Sequence, residues 1–173
     1  DISYLSRTWA LVNVTSTDTN LNDTRFSWAG VNETFATNSG SHYWENKTGL
    51  SEANYTFYAW NNDSANNRNF TASRTIIIDT TRPTLFLSAP NSSYTHSLNT
   101  TLTVNFSVSD TNGASSCWYK IINTSSNVII SNETLTGCAN TTFGVPRSDT
   151  YNITLYVNDS AGNLNSTEKT FSV

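Results

Sequence analysis

Residues 151–173, YNITLYVNDSAGNLNSTEKTFSV, decide the fold class, because the chain writes them twice. Residues 55–78, YTFYAWNNDSANNRNFTASRTIII, follow the same plan. Each copy runs from a Tyr through alternating apolar residues to Asn-Asp-Ser-Ala, an Asn-rich turn and a second extended run. Tyr55 matches Tyr151 and Asp63 matches Asp159 at an offset of 96; after a one-residue gap, Arg74 and Thr75 match Lys169 and Thr170. A period of two is the mark of a strand with one buried face, and clustered Asn, Asp, Ser and Gly mark a turn. Each copy therefore reads as strand, turn, strand.

The repeat extends outward. Residues 9–17, WALVNVTST, match residues 101–109, TLTVNFSVS, at an offset of 92, and Asp18-Thr19-Asn20 matches Asp110-Thr111-Asn112. Strands are expected at 9–16, 25–31, 55–60, 73–78, 84–88, 101–109, 117–122, 128–130, 134–143, 151–157 and 169–173, with polar loops over 34–46. No helical periodicity stands out. Pro83 lacks an N–H and stiffens the chain, so residues 80–83 read as a linker. Short strands at regular spacing make an all-β sandwich or barrel. A repeat of 92–96 residues is far longer than a solenoid unit and matches one sandwich domain, so two tandem immunoglobulin-like β-sandwich domains are expected. They cover 1–79, whose first strand is apparently missing, and 84–173.

Composition narrows the function. The net charge is −4 and the sequence pI near 4.9, which argues against nucleic acid as a partner, since that requires a basic face. No apolar run reaches the roughly 20 residues of a membrane helix. Asn, Ser and Thr number 24, 24 and 28 of 173 residues. Sixteen Asn-x-Ser/Thr sequons occur: Asn13, Asn22, Asn32, Asn46, Asn54, Asn62, Asn69, Asn91, Asn99, Asn105, Asn123, Asn132, Asn140, Asn152, Asn158 and Asn165. Chance placement of 24 Asn against 52 Ser and Thr in 173 positions would give about seven. The excess points to an exported, N-glycosylated surface protein, although an Asn/Thr-rich strand protein also makes sequons by composition. In that setting Cys117 and Cys138 are expected to form one disulfide. A metal pair has less support, since His42 and His96 are the only histidines and lack ligand spacing.

The segment ending in Asp-Thr-Asn, the Tyr-led strand, the NDSAGN turn and the Asp-Thr-Thr-x-Pro linker together resemble the immunoglobulin-like modules of archaeal and bacterial surface proteins. The resemblance implies a tyrosine corner at Tyr55 and Tyr151, opening the sixth strand (F) of each sandwich. It puts the core aromatic of the third strand (C) at Trp28, and at Trp118 or Tyr119. It places Cys117 on strand C and Cys138 on strand E, a cross-link unlike that of antibody domains. In such a sandwich the B–C and F–G loops share one end, which gathers Asp110, Asn112 and Asp159 near Asp79. Clustered carboxylate and amide oxygens suit Ca²⁺, which takes six to eight hard oxygen ligands; capping of turns is the plainer reading of the same residues. Asp18, Asn20 and Asp63 are the corresponding set in the first unit.

Strand parity turns Tyr58, Trp60 and Tyr156 away from the core, and the segment Ser41-His42-Tyr43-Trp44 adds two more aromatics. Exposed Trp and Tyr stack on sugars or anchor interfaces. No Ser, Cys or Thr stands beside a base in a recognisable motif, so no enzyme is expected. The expected function is structural: a subunit or segment of an extracellular, cell-surface filament, fibre or layer. Its partners are copies of itself or neighbouring modules, joined end to end or by strand donation at an open sheet edge. The alternative is an adhesin or carbohydrate-binding stalk module.

Overall fold

The computed structural model describes residues 1–95 and 101–173. His96 and the sequon Asn99 lie outside the described residues. The chain forms two compact units, Asp1–Thr80 and Thr81–Val173.

The first unit contains β1 (Ile2–Leu5), β2 (Trp9–Thr15), β3 (Leu21–Trp28), β4 (Val31–Thr34), β5 (Thr37–Ser39), β6 (His42–Thr48), β7 (Ala53–Asp63), β8 (Arg68–Phe70) and β9 (Arg74–Ile78). One sheet runs β1-β9-β7-β3-β4, with β8 paired to β7; the other runs β2-β6-β5. Alternation sets the core: Ala10 and Val12 of β2 face Phe26 and Trp28 of β3, Ala59 of β7, and Ile76 and Ile78 of β9, with Leu50 beside them. Tyr55 stacks on Trp28 at 5.3 Å, so Trp28 is the core aromatic of its strand.

The second unit contains β10 (Thr84–Ala89), β11 (Leu102–Ser109), β12 (Ala114–Asn123), β13 (Val128–Leu135), a 3-10 turn (Thr136–Cys138), β14 (Thr141–Phe143), β15 (Thr150–Asp159) and β16 (Leu164–Ser172). Its sheets are β10-β11-β14 and β13-β12-β15-β16. Strict alternation on β15 buries Tyr151, Ile153, Leu155 and Val157 against Leu87, Leu102, Val104 and Phe143 of the facing sheet. Tyr119 is 3% exposed, so it, not Trp118, supplies the core aromatic of β12.

Both tyrosine corners form. Tyr151 Oη donates to the Arg147 carbonyl at 2.8 Å, and Tyr55 Oη to the Ser51 carbonyl at 3.1 Å. Each bond reaches back four residues and fixes where the strand enters the sheet. Burial pushes the Tyr151 phenol above its ordinary pKa, and the Asp149 charge adds to the shift.

Four expectations need correction. The strand expected over 25–31 breaks at Ala29-Gly30, whose φ values of 49° and 86° make a two-residue hairpin turn between β3 and β4. The stretch expected to be polar loop contains β6, which pairs along its whole length with β2. Its inward Tyr43 packs near Phe35, and its Lys47 ammonium lies 2.7 Å from Glu33 and 5.5 Å from the Trp28 ring. A lysine whose stem crosses apolar rings to reach a carboxylate does not look like a core residue in sequence. Cys138 lies in the 3-10 turn before β14, not on strand E: Gly137 and Cys138 both take left-handed φ, 62° and 52°, which no strand continues. Lastly, the first strand expected to be missing is half present. β1 runs parallel to β9, pairing Ile2 with Thr75 through Leu5 with Ile78.

Candidate functional site

The doubled loop is in fact tripled. Residues 63–67, 123–127 and 159–163 close three hairpins in one conformation. The first residue of each donates its N–H to the fifth residue's carbonyl, and the fourth donates back to the first. The fourth residue is left-handed each time: Asn66 at 70°, Ser126 at 62°, Gly162 at 87°. The first residue's Oδ1 accepts the fifth residue's N–H, at 2.8 Å for Asp63, 2.9 Å for Asn123 and 2.8 Å for Asp159. Asx side chains hold turns in this way because their oxygens reach the backbone two to four residues on. The Asn67 side-chain amide, then its backbone N–H, holds the Asp63 carboxyl below the ordinary carboxylate pKa. That bond's contribution is present at neutral pH and is lost as pH falls through the lowered pKa.

Asp18 and Asp110 cap their own turns, accepting the Asn20 N–H at 2.7 Å and the Asn112 N–H at 2.8 Å. Within the second unit, carboxylate oxygens of Asp110 and Asp159 come within 4.8 Å of one another. Two carboxylates so close repel, and a hard cation such as Ca²⁺ would relieve them. Asp79 follows β9 in the first unit, where its N–H donates to the Leu5 carbonyl at 3.0 Å.

The five aromatic residues expected at a contact surface are half-buried and fall into separate groups. Tyr58 and Trp60 both pack on Phe70 of β8, at 6.3 and 6.4 Å, and the Arg68 guanidinium lies 5.3 Å from the Trp60 ring. Phe70, which the sequence reading passed over, is 56% exposed and forms the outermost face of this group. Tyr156 stacks flat on Trp118 at 5.4 Å across the β12–β15 pair. Tyr43 turns inward to Phe35, and Trp44 lies on β6 opposite Asn13.

The sequons sort by exposure. Asn13, Asn22, Asn32, Asn46, Asn54, Asn69, Asn91, Asn105, Asn132 and Asn140 are exposed. Asn62, Asn152, Asn158 and Asn165 are half-buried, and the Oδ1 atoms of Asn62 and Asn152 are buried without a hydrogen-bond partner among the described residues. Asn123 is 3% exposed; its Oδ1 holds the hairpin and its Nδ2 donates to Asp149. A glycan on Asn123 would have to break that loop. Glycopeptide mapping of native material is expected to find residue 123 unoccupied while exposed sites such as Asn22 and Asn32 carry sugar.

The cysteines meet as expected. Cys117 and Cys138 form a disulfide with Cα atoms 5.1 Å apart, tying β12 to the turn that carries the chain across to β14.

No family model and no curated protein matches the chain. Solved structures match in fold. The fibronectin(III)-like modules of CbhA from Clostridium thermocellum align over 99% of this chain and 87% of theirs, with a TM-score of 0.53 at 16% identity. The chain has the fold of two tandem fibronectin III/immunoglobulin-like β-sandwiches. Domains FN1–FN3 of chicken CNTN1 align over 99% of this chain and 61% of theirs, at 10% identity and a TM-score of 0.49. Extracellular domains 3–5 of Drosophila OTK do so over 99% and 57%, at 10% identity and 0.48. Identities this low speak to the fold of the modules alone.

Proposed function

We propose that these modules are a structural, non-enzymatic segment of an exported, N-glycosylated cell-surface assembly, built by end-to-end or strand-sharing contacts between modules. The observation that carries the reading is the placement of the sequons: ten of the fifteen described sequon asparagines are exposed, on strands and loops of both modules. A polar, uncharged face of that kind tolerates a dense glycan coat without disturbing either core. The disulfide adds support, because such bonds persist in oxidising, extracytoplasmic settings. No described helix is long and apolar enough to cross a membrane. The archaeal leaning rests on the sequence resemblance and on sequon density. Electron microscopy of native material tests the assembly.

Calcium at Asp110 and Asp159 of the second module, with Asn112 as a further oxygen donor, belongs to the same proposal. If the ion is held there, chelation lowers the melting temperature of the second module; an unchanged transition removes it.

The group of half-buried Trp60, exposed Phe70 and Arg68 favours a second reading, a carbohydrate-binding stalk, since rings that reach the surface beside a guanidinium stack on sugars. Glycan-array binding that disappears in Trp60→Ala would select it.

A further inference from the structure

Strands β2 and β11 are copies, with Asn13 matching Asn105 and Thr15 matching Ser107. Their surroundings differ. β11 has a neighbour on each side, β14 and β10. β2 has β6 on one side and no strand on the other among the described residues.

Backbone parity shows what the open side presents. The Thr8 carbonyl accepts the Leu50 N–H, and the Ser16 N–H donates to the Ser41 carbonyl, so even-numbered residues of this run face β6. The N–H and C=O groups of Leu11, Asn13 and Thr15 therefore face away from it. In the second module β10 covers the equivalent groups, running antiparallel and pairing Ala89 with Asn105, Phe86 with Ser107 and Thr84 with Ser109. Its Ser88 hydroxyl also donates to the Asn105 carbonyl at 2.8 Å. Leu85 and Leu87 turn into the core, while Phe86 is 66% exposed.

The first module keeps one half of this arrangement. β1 lies on β9 as residues 92–94 lie on β16, where the Tyr94 N–H donates to the Ser172 carbonyl. The other half, a strand on β2, has no counterpart among the described residues. Beside the open edge lies a cleft of about 170 Å³ lined by Val12, Val14, Phe57, Ala59, Thr71 and Arg74. Val12 and Ala59 belong to the core, so the cleft reaches the interior of the sandwich.

We propose that the outer edge of β2 accepts an extended segment of a neighbouring polypeptide, of the same kind as Thr84–Ala89. It runs antiparallel to Asn13 and Thr15 and lowers its alternate apolar side chains into the cleft. The partner is uncharged and alternating, as TLFLSA is: backbone pairing gives affinity and the cleft selects the side chains. The sequon at Asn13 is no obstacle, because its copy Asn105 is also an exposed sequon and carries β10 on that edge. This rests on the assembly reading and gives its contact a chemistry, yet the two fail separately: the segment can seat on a chain that forms no lattice, and a lattice can form with this edge empty.

The test adds a synthetic peptide of residues 84–91, TLFLSAPN, to the full chain and follows amide hydrogen exchange. At saturation the amides of Leu11, Asn13 and Thr15 are expected to slow by about tenfold or more, while those of β11 are unchanged. A peptide N-methylated at Phe86, which cannot donate to the edge, is expected to have no effect. A second variant carries TLFLSA fused directly ahead of Asp1, which raises the effective concentration of the segment. It is expected to show the same protection without peptide, and none further on adding it. Equal protection by the N-methylated peptide, or unchanged exchange in both peptide and fusion experiments, overturns the proposal. Protection in the fused chain alone overturns the neighbouring polypeptide as occupant and assigns the edge to a strand of the same chain.

Discussion

Phe26→Ala is expected to unfold the first module at temperatures where the second remains folded. Phe26 is fully buried and sits 4.7 Å from Phe35, at the centre of a core with only eight buried apolar members. Truncating a buried Phe costs about 3–5 kcal/mol, the lost transfer free energy plus a cavity. A module of this size has a total stability of about 4–12 kcal/mol, so the substitution removes a large part of it. Calorimetry is expected to show the first module's transition about 15–25 °C lower. The second transition stays in place, because the two cores share no residue. A shift of a few degrees would mean that Phe26 is not central to the core; equal shifts in both transitions would mean that the modules melt as one.

Removing the Cys117–Cys138 bridge is the second large effect. The half-cystine at 117 is fully buried among Ile121, Leu155 and Val157, and the bridge closes a separation of 21 residues. The β12–β13 hairpin already brings Cys117 opposite Leu135. What the disulfide adds is anchorage of the 3-10 turn, where the chain leaves one sheet for the other. A loop of this length is worth about 3 kcal/mol in the chain-entropy account. The double substitution Cys117→Ala, Cys138→Ala is expected to lower the second module's melting temperature by about 10–20 °C and leave the first unmoved. Ala is the informative replacement, since Ser at 117 would bury an unpaired hydroxyl and confuse the result. An unchanged transition would show that hairpin pairing alone holds the turn.

The features legible in the sequence were those fixed by local periodicity or by the repeat. The repeat marked Tyr55 and Tyr151 as the starts of alternating strands, and the family resemblance made each a tyrosine corner. The alternation on β2 and β15 was legible from periodicity, Trp28 from the resemblance, and the cysteine pairing from two cysteines in an exported setting. The rest depends on partners distant in sequence or on backbone angles. Ala29 at positive φ gives no compositional warning of a turn, so β3 and β4 read as one strand. β6 mixes His, Trp, Lys and Glu because its inward Lys47 reaches Glu33 across aromatic rings, a solution visible only in three dimensions. The third copy of the loop, at 123–127, escaped notice because Asn replaces Asp and Ser126 replaces the left-handed Asn or Gly. The Asn at 123 also makes a sequon, Asn123-Thr124-Ser125, whose asparagine the fold then buries. β1 escaped because a four-residue parallel edge strand has too little pattern to register.

In the proposed function these modules work by joining to one another in a glycosylated surface assembly. Electron microscopy of material isolated from the native cell surface tests it most directly. The expected result is ordered fibres or a lattice in which this pair of modules is the repeating unit, with sugar density on its exposed sequons. Dispersed single molecules, unglycosylated and without repeating contacts, would contradict it.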